Sequence, residues 1–305
     1  MKDILNYLCY EVPVRRNSGT KVRLLAYLKD GFEKIGLRCK LWRPYGTRMV
    51  NLVIGDPTTA ETVILTGYDT PKKIFLPHYR YYPLDSRKNT RNERISLVVQ
   101  LLCTFLLVVG SAAAAYSLSL TDGWYKTPGI VLCCLTGLLV SLGTRGIPNK
   151  NNLNKNSAAL ALTLKFLQRC DIETNRVAVI LLDHTADSYQ GYNAVKVSLK
   201  DGLSRKNIVI LEALAEGKTN YMATNVKSSC IREQIIATGC FEIATLNETE
   251  QVETLVGLFD RTYYFFCGER ENNDIVVKGT RSGKDRFYVL ENMEHIYHAL
   301  RSCFK

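Results

Sequence analysis

The chain has 305 residues, 46% of them apolar, with a formal net charge of +11 and a pI near 9.1. That composition excludes a disordered or low-complexity polypeptide and leaves enough apolar side chains for a sizeable core. Ten cysteines occur without a C-x-x-C pair, which excludes zinc-ribbon and thioredoxin-type spacing. With no secretory signal in view, they read as reduced thiols facing the cytosol.

"KVRLLAYLKDGFEKIG", starting at Lys21, carries apolar residues at helical spacing and ends on Gly36. Strand-like runs follow at "RCKLWR", "MVNLVIG" and "TVILTG". No residue between 95 and 121 is charged, and a second uncharged stretch covers 127–144. A helix needs about 20 apolar residues to cross the hydrocarbon core, so the first stretch is ample and the second barely sufficient. The pattern predicts a transmembrane hairpin over 95–145, with helices at about 95–120 and 127–144. "DGWYK" joins them, and Trp124 and Tyr125 stand where interfacial aromatic anchors belong. A helical pair buried in a soluble core is the competing reading, though such pairs rarely run so long without a charge.

Arg80, Arg87, Lys88, Arg91 and Arg94 precede the hairpin and Arg145 and Lys150 follow it, whereas its loop holds only Asp122 and Lys126. The positive-inside rule then puts both termini and the soluble domain on the cytoplasmic side of a cell membrane spanned twice. Much of the basic excess is explained without nucleic acid. "HYRYYPLDSRK" beside the span reads as a headgroup contact rather than an RNA-stacking surface.

Beyond the hairpin the pattern predicts a helix over 156–169, a strand "RVAVILLD", a helix after Ser188 and a strand "NIVILEAL". A helix near 230–238, a strand "TYYFFC" and a last helix "LENMEHIYHALRSCF" complete the chain. Leu290, Met293, Tyr297 and Leu300 line one face of that helix, so His295 and His298 read as surface or packing residues. Strands alternating with helices predict an α/β fold, a three-layer sandwich with a mixed, largely parallel sheet. Segments 1–94 and 146–305 form one domain interrupted by the hairpin. Sites in such sheets gather at the carboxyl ends of strands.

Those ends read "LTGYDTP" (65–71), "LLDHTADSYQG" (181–191) and "VILEALAEG" (209–217), with "NKNNLNKNSAA" opening a helix. Their order resembles the co-catalytic di-zinc aminopeptidases, the twenty-eighth family of metallopeptidases, and in particular its membrane-tethered bacterial members. That family shows H-Y-D-T-P, then A-N-D-N-x-S-G, F-D-x-E-E-x-G, a strand ending in L-D or F-D, and a late T-H-S-x-x-D. The resemblance covers nearly all of the soluble part. It implies the aminopeptidase fold.

The resemblance also implies where the chemistry would lie. Gly67 stands at the first histidine ligand, with Tyr68, Asp69, Thr70 and Pro71 preserved around it. Lys155 falls at the aspartate that bridges both metals, Thr185 at the general base, and Ala186 at the glutamate ligand. Glu212 takes the fourth-motif aspartate and Arg281 the late histidine. One carboxylate cannot hold zinc, which needs about three or four Cys, His or carboxylate ligands. A lysine ammonium about 4 Å from a dication adds roughly 8 kcal/mol of repulsion at an effective dielectric near 20.

The expectation is therefore a catalytically degenerate homologue with no cofactor. Lys155 and Arg281 replace the metals' positive charge, Glu212 and Asp69 serve as counterions, and the remaining basic pocket suits a peptide carboxylate or another anion. Its partners would be the membrane and either another membrane protein or an active paralogue. The alternative is a working zinc aminopeptidase with a rebuilt site, zinc being its cofactor. A metal-free hydrolase using Asp183 and His184 is a third reading, without a G-x-S-x-G elbow to support it.

Overall fold

The computed structural model describes residues 1–74, 76, 78–119, 126–170, 176–246, 251 and 253–304. Helix α1 (Lys2–Asn6) runs into a π-helical turn, and α2 (Ser18–Lys34) begins where the Asn17 side chain accepts the Thr20 N–H. There follow β1 (Cys39–Trp42), β2 (Asn51–Ile54), β3 (Thr62–Gly67), β4 (Arg80–Tyr81), α3 (Ser86–Ser119) and α4 (Lys126–Arg145). A π-helical turn (Leu153–Ser157) opens α5 (Ala158–Leu167), then come β5 (Val177–Leu182), α6 (Gln190–Ser198), α7 (Lys200–Leu203) and β6 (Asn207–Leu211). The chain ends through β7 (Thr219–Thr224), α8 (Cys230–Ala237), β8 (Glu242–Ala244), β9 (Thr262–Glu271), β10 (Asp274–Lys278) and α9 (Leu290–Cys303).

The strands line up as β1-β2-β5-β3-β6-β9-β10-β4, with β7 and β8 branching from β9. Among the described residues only the centre, β5-β3-β6-β9, and the β7–β8 pair are parallel. β1, β2, β10 and β4 pair antiparallel on the flanks, as does β7 with β9. The sheet is thus mixed rather than largely parallel, because short links such as the one between β9 and β10 permit only a hairpin.

β3 and β5 are buried along their whole length, as strands covered on both faces must be. One face carries Ile64, Val179 and Val209 against α2, α5 and α9. The other carries Val63, Ile180 and Ile210 against α6 and the tyrosines around β4 and β9.

α3 begins at Ser86, well before the uncharged run, because its polar start offers good helix formers and no proline or glycine. Among the described residues it alone is long and apolar enough to cross a membrane; the apolar part of α4, Thr127–Ser141, is shorter. The two helices pack closely. A Cβ placed on Gly129 would sit 3.7 Å from the Ala115 backbone, and the Thr136 hydroxyl donates to Ser111 Oγ at 2.6 Å. Trp124 and Tyr125 lie outside the described residues.

Candidate functional site

Parallel β3, β5 and β6 end side by side, which brings Asp69, Thr185 and Glu212 to one edge of the sheet. The π-helical turn before α5 adds Lys155 and the loop after β10 adds Arg281. All of these side chains are buried. The Lys155 ammonium bonds a Glu212 carboxylate oxygen and lies 3.7 Å from the centre of the Tyr81 ring. The other Glu212 oxygen accepts the Tyr81 and Tyr264 hydroxyls at 2.7 and 2.8 Å. Burial, reinforced by the charge of Glu212, holds both phenols far above their ordinary pKa, so they remain donors.

Arg281 reaches Glu93 of α3 at 2.6 Å and Asp187 at 3.2 Å. Asp187 also holds Arg16 at 2.8 Å and accepts the Lys72 N–H at 2.8 Å. Burial would lower the Arg281 pKa and raise that of Asp187. Tyr79, Asp187 and Glu93 outweigh that effect on Arg281 and raise its pKa, while Arg281, Arg16 and the Lys72 N–H lower that of Asp187.

Asp69, expected from the sequence to share with Glu212 the role of counterion to Lys155 and Arg281, pairs with neither. Its carboxylate accepts the Thr185 hydroxyl at 2.8 Å and the Thr185 and Ala186 N–H groups at 3.2 Å. Burial pushes Asp69 upward, and the lysine that moderates this, Lys21, is bound to Asp183 at 2.5 Å. Thr185 also fills the space beside Gly67. A Cβ on Gly67 would overlap its Oγ1 and come within 2.9 Å of Asn156 Nδ2.

Two buried groups missed in the sequence support this arrangement. Arg15 donates to the carbonyls of Tyr68, Leu8 and Val12 at 2.6, 3.0 and 2.9 Å and to Ser157 Oγ at 2.7 Å. Burial lowers its pKa to about 10. Asp285 accepts the Asn154 N–H at 2.6 Å and the Arg281 N–H at 3.3 Å, stapling the Lys155 turn to the Arg281 loop. Burial raises its carboxyl to about 7.

A cleft of about 220 Å³ opens between this edge and the base of α3, walled by Tyr79, Tyr81 and Tyr189 with Lys155, Asp187 and Arg281. Glu212 and Asp69 stay behind that wall. Each cation already faces a carboxylate, so the cleft is charge-balanced rather than basic.

Zinc does not fit these residues. Among the described residues no three His, Cys, Asp or Glu side chains converge on a common point. Glu212 is taken up by an ammonium and two phenols, and Gly67 has no room for a ligand side chain. His184 is half exposed, 3.9 Å from Asp183, whose carboxylate Lys21 already holds.

Glu93 and Asp187 escaped the sequence reading because one lay among the flanking charges of the hairpin and the other beside the "DHTA" motif. The signal that could have exposed Glu93 is its i, i+7 register with Ser86, which puts it on the face of α3 toward the sheet.

No family profile and no curated protein sequence matches the chain. In structure it is similar to the LapA aminopeptidase of Legionella pneumophila, at 9% identity over 99% of this chain and 69% of that one, with a TM-score of 0.52. It is equally similar to a glutaminyl cyclase from an Acidobacteriales bacterium, at 10% identity over 99% and 91%, TM-score 0.52. BSAP, a zinc aminopeptidase of Bacillus subtilis, aligns at 10% identity and a TM-score of 0.43 over 83% of this chain, which spans about half (49%) of that enzyme. The fold is that of the aminopeptidase-like α/β proteins, a mixed sheet with a parallel centre.

Proposed function

We propose that the chain is a membrane-anchored, catalytically inactive relative of the zinc aminopeptidases, a binding or scaffold protein on the cytoplasmic face. The observation that carries this reading is the buried contact between Lys155 and Glu212. It sets a cation where the resemblance implies the metal-bridging carboxylate. The general-base position, Thr185, donates its proton to Asp69 instead of accepting one from water. α3 and α4 serve as two spans, supported by the exposed apolar side chains of Leu97, Val98, Phe105, Leu106 and Ile130. The partner is another membrane protein or an active paralogue.

Metal analysis of the purified chain, with hydrolysis of aminoacyl-nitroanilides assayed with and without EDTA, tests the site. The expected result is no stoichiometric zinc and no EDTA-sensitive cleavage; finding both would overturn the proposal. Retention of the chain in carbonate-washed membranes tests the anchor.

A further inference from the structure

Two cavities open on one face of α3. To the cleft, α3 contributes Ser86, Asn89, Thr90 and Glu93. The second cavity, about 300 Å³, is lined by Ser96, Val99, Gln100, Cys103 and Thr104 of the same helix and by Leu76. At 100° per residue these positions cover one half of the helix surface, from Thr90 at one border to Val99 at the other. The lining changes character near Ile95, where the uncharged run begins: charged and polar side chains line it before that point, and after it Ser96, Gln100 and Thr104 share an uncharged, mostly carbon surface with Val99, Cys103 and Leu76. The Thr104 hydroxyl turns back to the Gln100 carbonyl at 2.8 Å, which leaves its methyl group for the groove. At 1.5 Å per residue, Ser86 to Thr104 spans ~27 Å, enough for a headgroup and much of an acyl chain.

The cleft also states what headgroup it would accept. Arg281 is held by the partly exposed Glu93 and Asp187, and Lys155 by the buried Glu212, so a phosphate or carboxylate would have to compete with a carboxylate already in place at each cation. Hydroxyl chemistry remains available. The Tyr189 hydroxyl is turned toward that of Tyr81, which already gives its proton to Glu212. Ser86, Thr90 and Ser188 add hydroxyls at the rim, and tyrosine rings supply flat walls.

We infer that the two cavities form one site for a single lipid with an uncharged, hydroxyl-rich headgroup, its head in the cleft and an acyl chain along α3. This inference rests on the membrane-anchored reading. A sugar or polyol in solution shares the head's chemistry; the second, mostly carbon-lined cavity farther along the same helix selects the lipid.

The test is native mass spectrometry of the full chain released from micelles holding equal amounts of a monoglucosyl diacylglycerol and phosphatidylglycerol. The expected result is one glycolipid per chain, preferred about tenfold over the anionic lipid. Thr90→Leu, in the head cleft, and Val99→Trp, in the groove, each reduce that adduct about tenfold, whereas Val98→Trp, which lines neither cavity, leaves it unchanged. Equal adducts from both lipids, no adduct, or equal loss in V98W and V99W would overturn the inference. Binding of methyl glucoside alone as tight as that of the lipid would overturn the acyl-chain half. A chain that stays in carbonate-washed membranes yet fails these tests refutes the lipid site alone; a chain washed free refutes the anchor.

Discussion

Removing either partner of the Lys155–Glu212 pair should destabilise the protein strongly and unequally. Both side chains are buried, so the survivor keeps its charge away from water, at a cost of roughly 3–5 kcal/mol. In Lys155→Met, Glu212 still accepts the Tyr81 and Tyr264 hydroxyls, which places the loss near the low end, about 3 kcal/mol. In Glu212→Leu, the ammonium retains only the face of Tyr81, and two phenol hydroxyls lose their acceptor. That loss should reach about 5 kcal/mol. The double substitution K155M/E212L removes both charges and should cost less than the two singles together by about 3 kcal/mol. Urea unfolding of the full chain in mild detergent, followed by the fluorescence of its two tryptophans, measures all three. If both single variants fall within about 0.5 kcal/mol of the parent, the pair is solvated and the reasoning fails.

Three further outcomes follow from the same geometry. Gly67→Ala should cost about 1–3 kcal/mol through overlap with Thr185, and adding Thr185→Ala in the same chain should recover part of it; a neutral Gly67→Ala would refute the overlap. Asp285 has a folded pKa of about 7, above its unfolded value, so its stabilising contribution is full below about pH 4 and lost as pH rises through 7. Stability should therefore fall between pH 5 and pH 8, by at most about 3 kcal/mol from this group, and Asp285→Asn should flatten that interval. Arg15→Lys keeps the charge but loses the planar fork to four acceptors, so melting should report a loss of about 2–4 kcal/mol, and an unchanged melting temperature would count against that role.

The central strands were legible because covered parallel strands are nearly continuous apolar runs, as in "TVILTG" and "RVAVILLD". The flanking β10, the branching β7 and the three-residue β8 were not, since "DIVVK", "TNYMAT" and "EIA" are too short or mixed to stand apart from loops. α5 starts at Ala158 rather than at 156, because a π-helical turn precedes it and carries Lys155 inward. In the site, strand-end positions could be read from motif order. Partner choice could not, because it depends on side chains far apart in sequence. Arg281 meets Glu93 only once β10 and the base of α3 are adjacent, and nothing near residue 69 signals that Thr185 will bond its carboxylate.

α3 has no break between Ser86 and Ser119, so it acts as a lever about 50 Å long whose short arm borders the cleft. Swinging about Ser86, a displacement of roughly 1 Å at Glu93, some 10 Å along, moves the distant tip by roughly 5 Å. A small widening between Arg281 and that helix would thus be magnified into a motion large enough for a spectroscopic ruler at the far end to read.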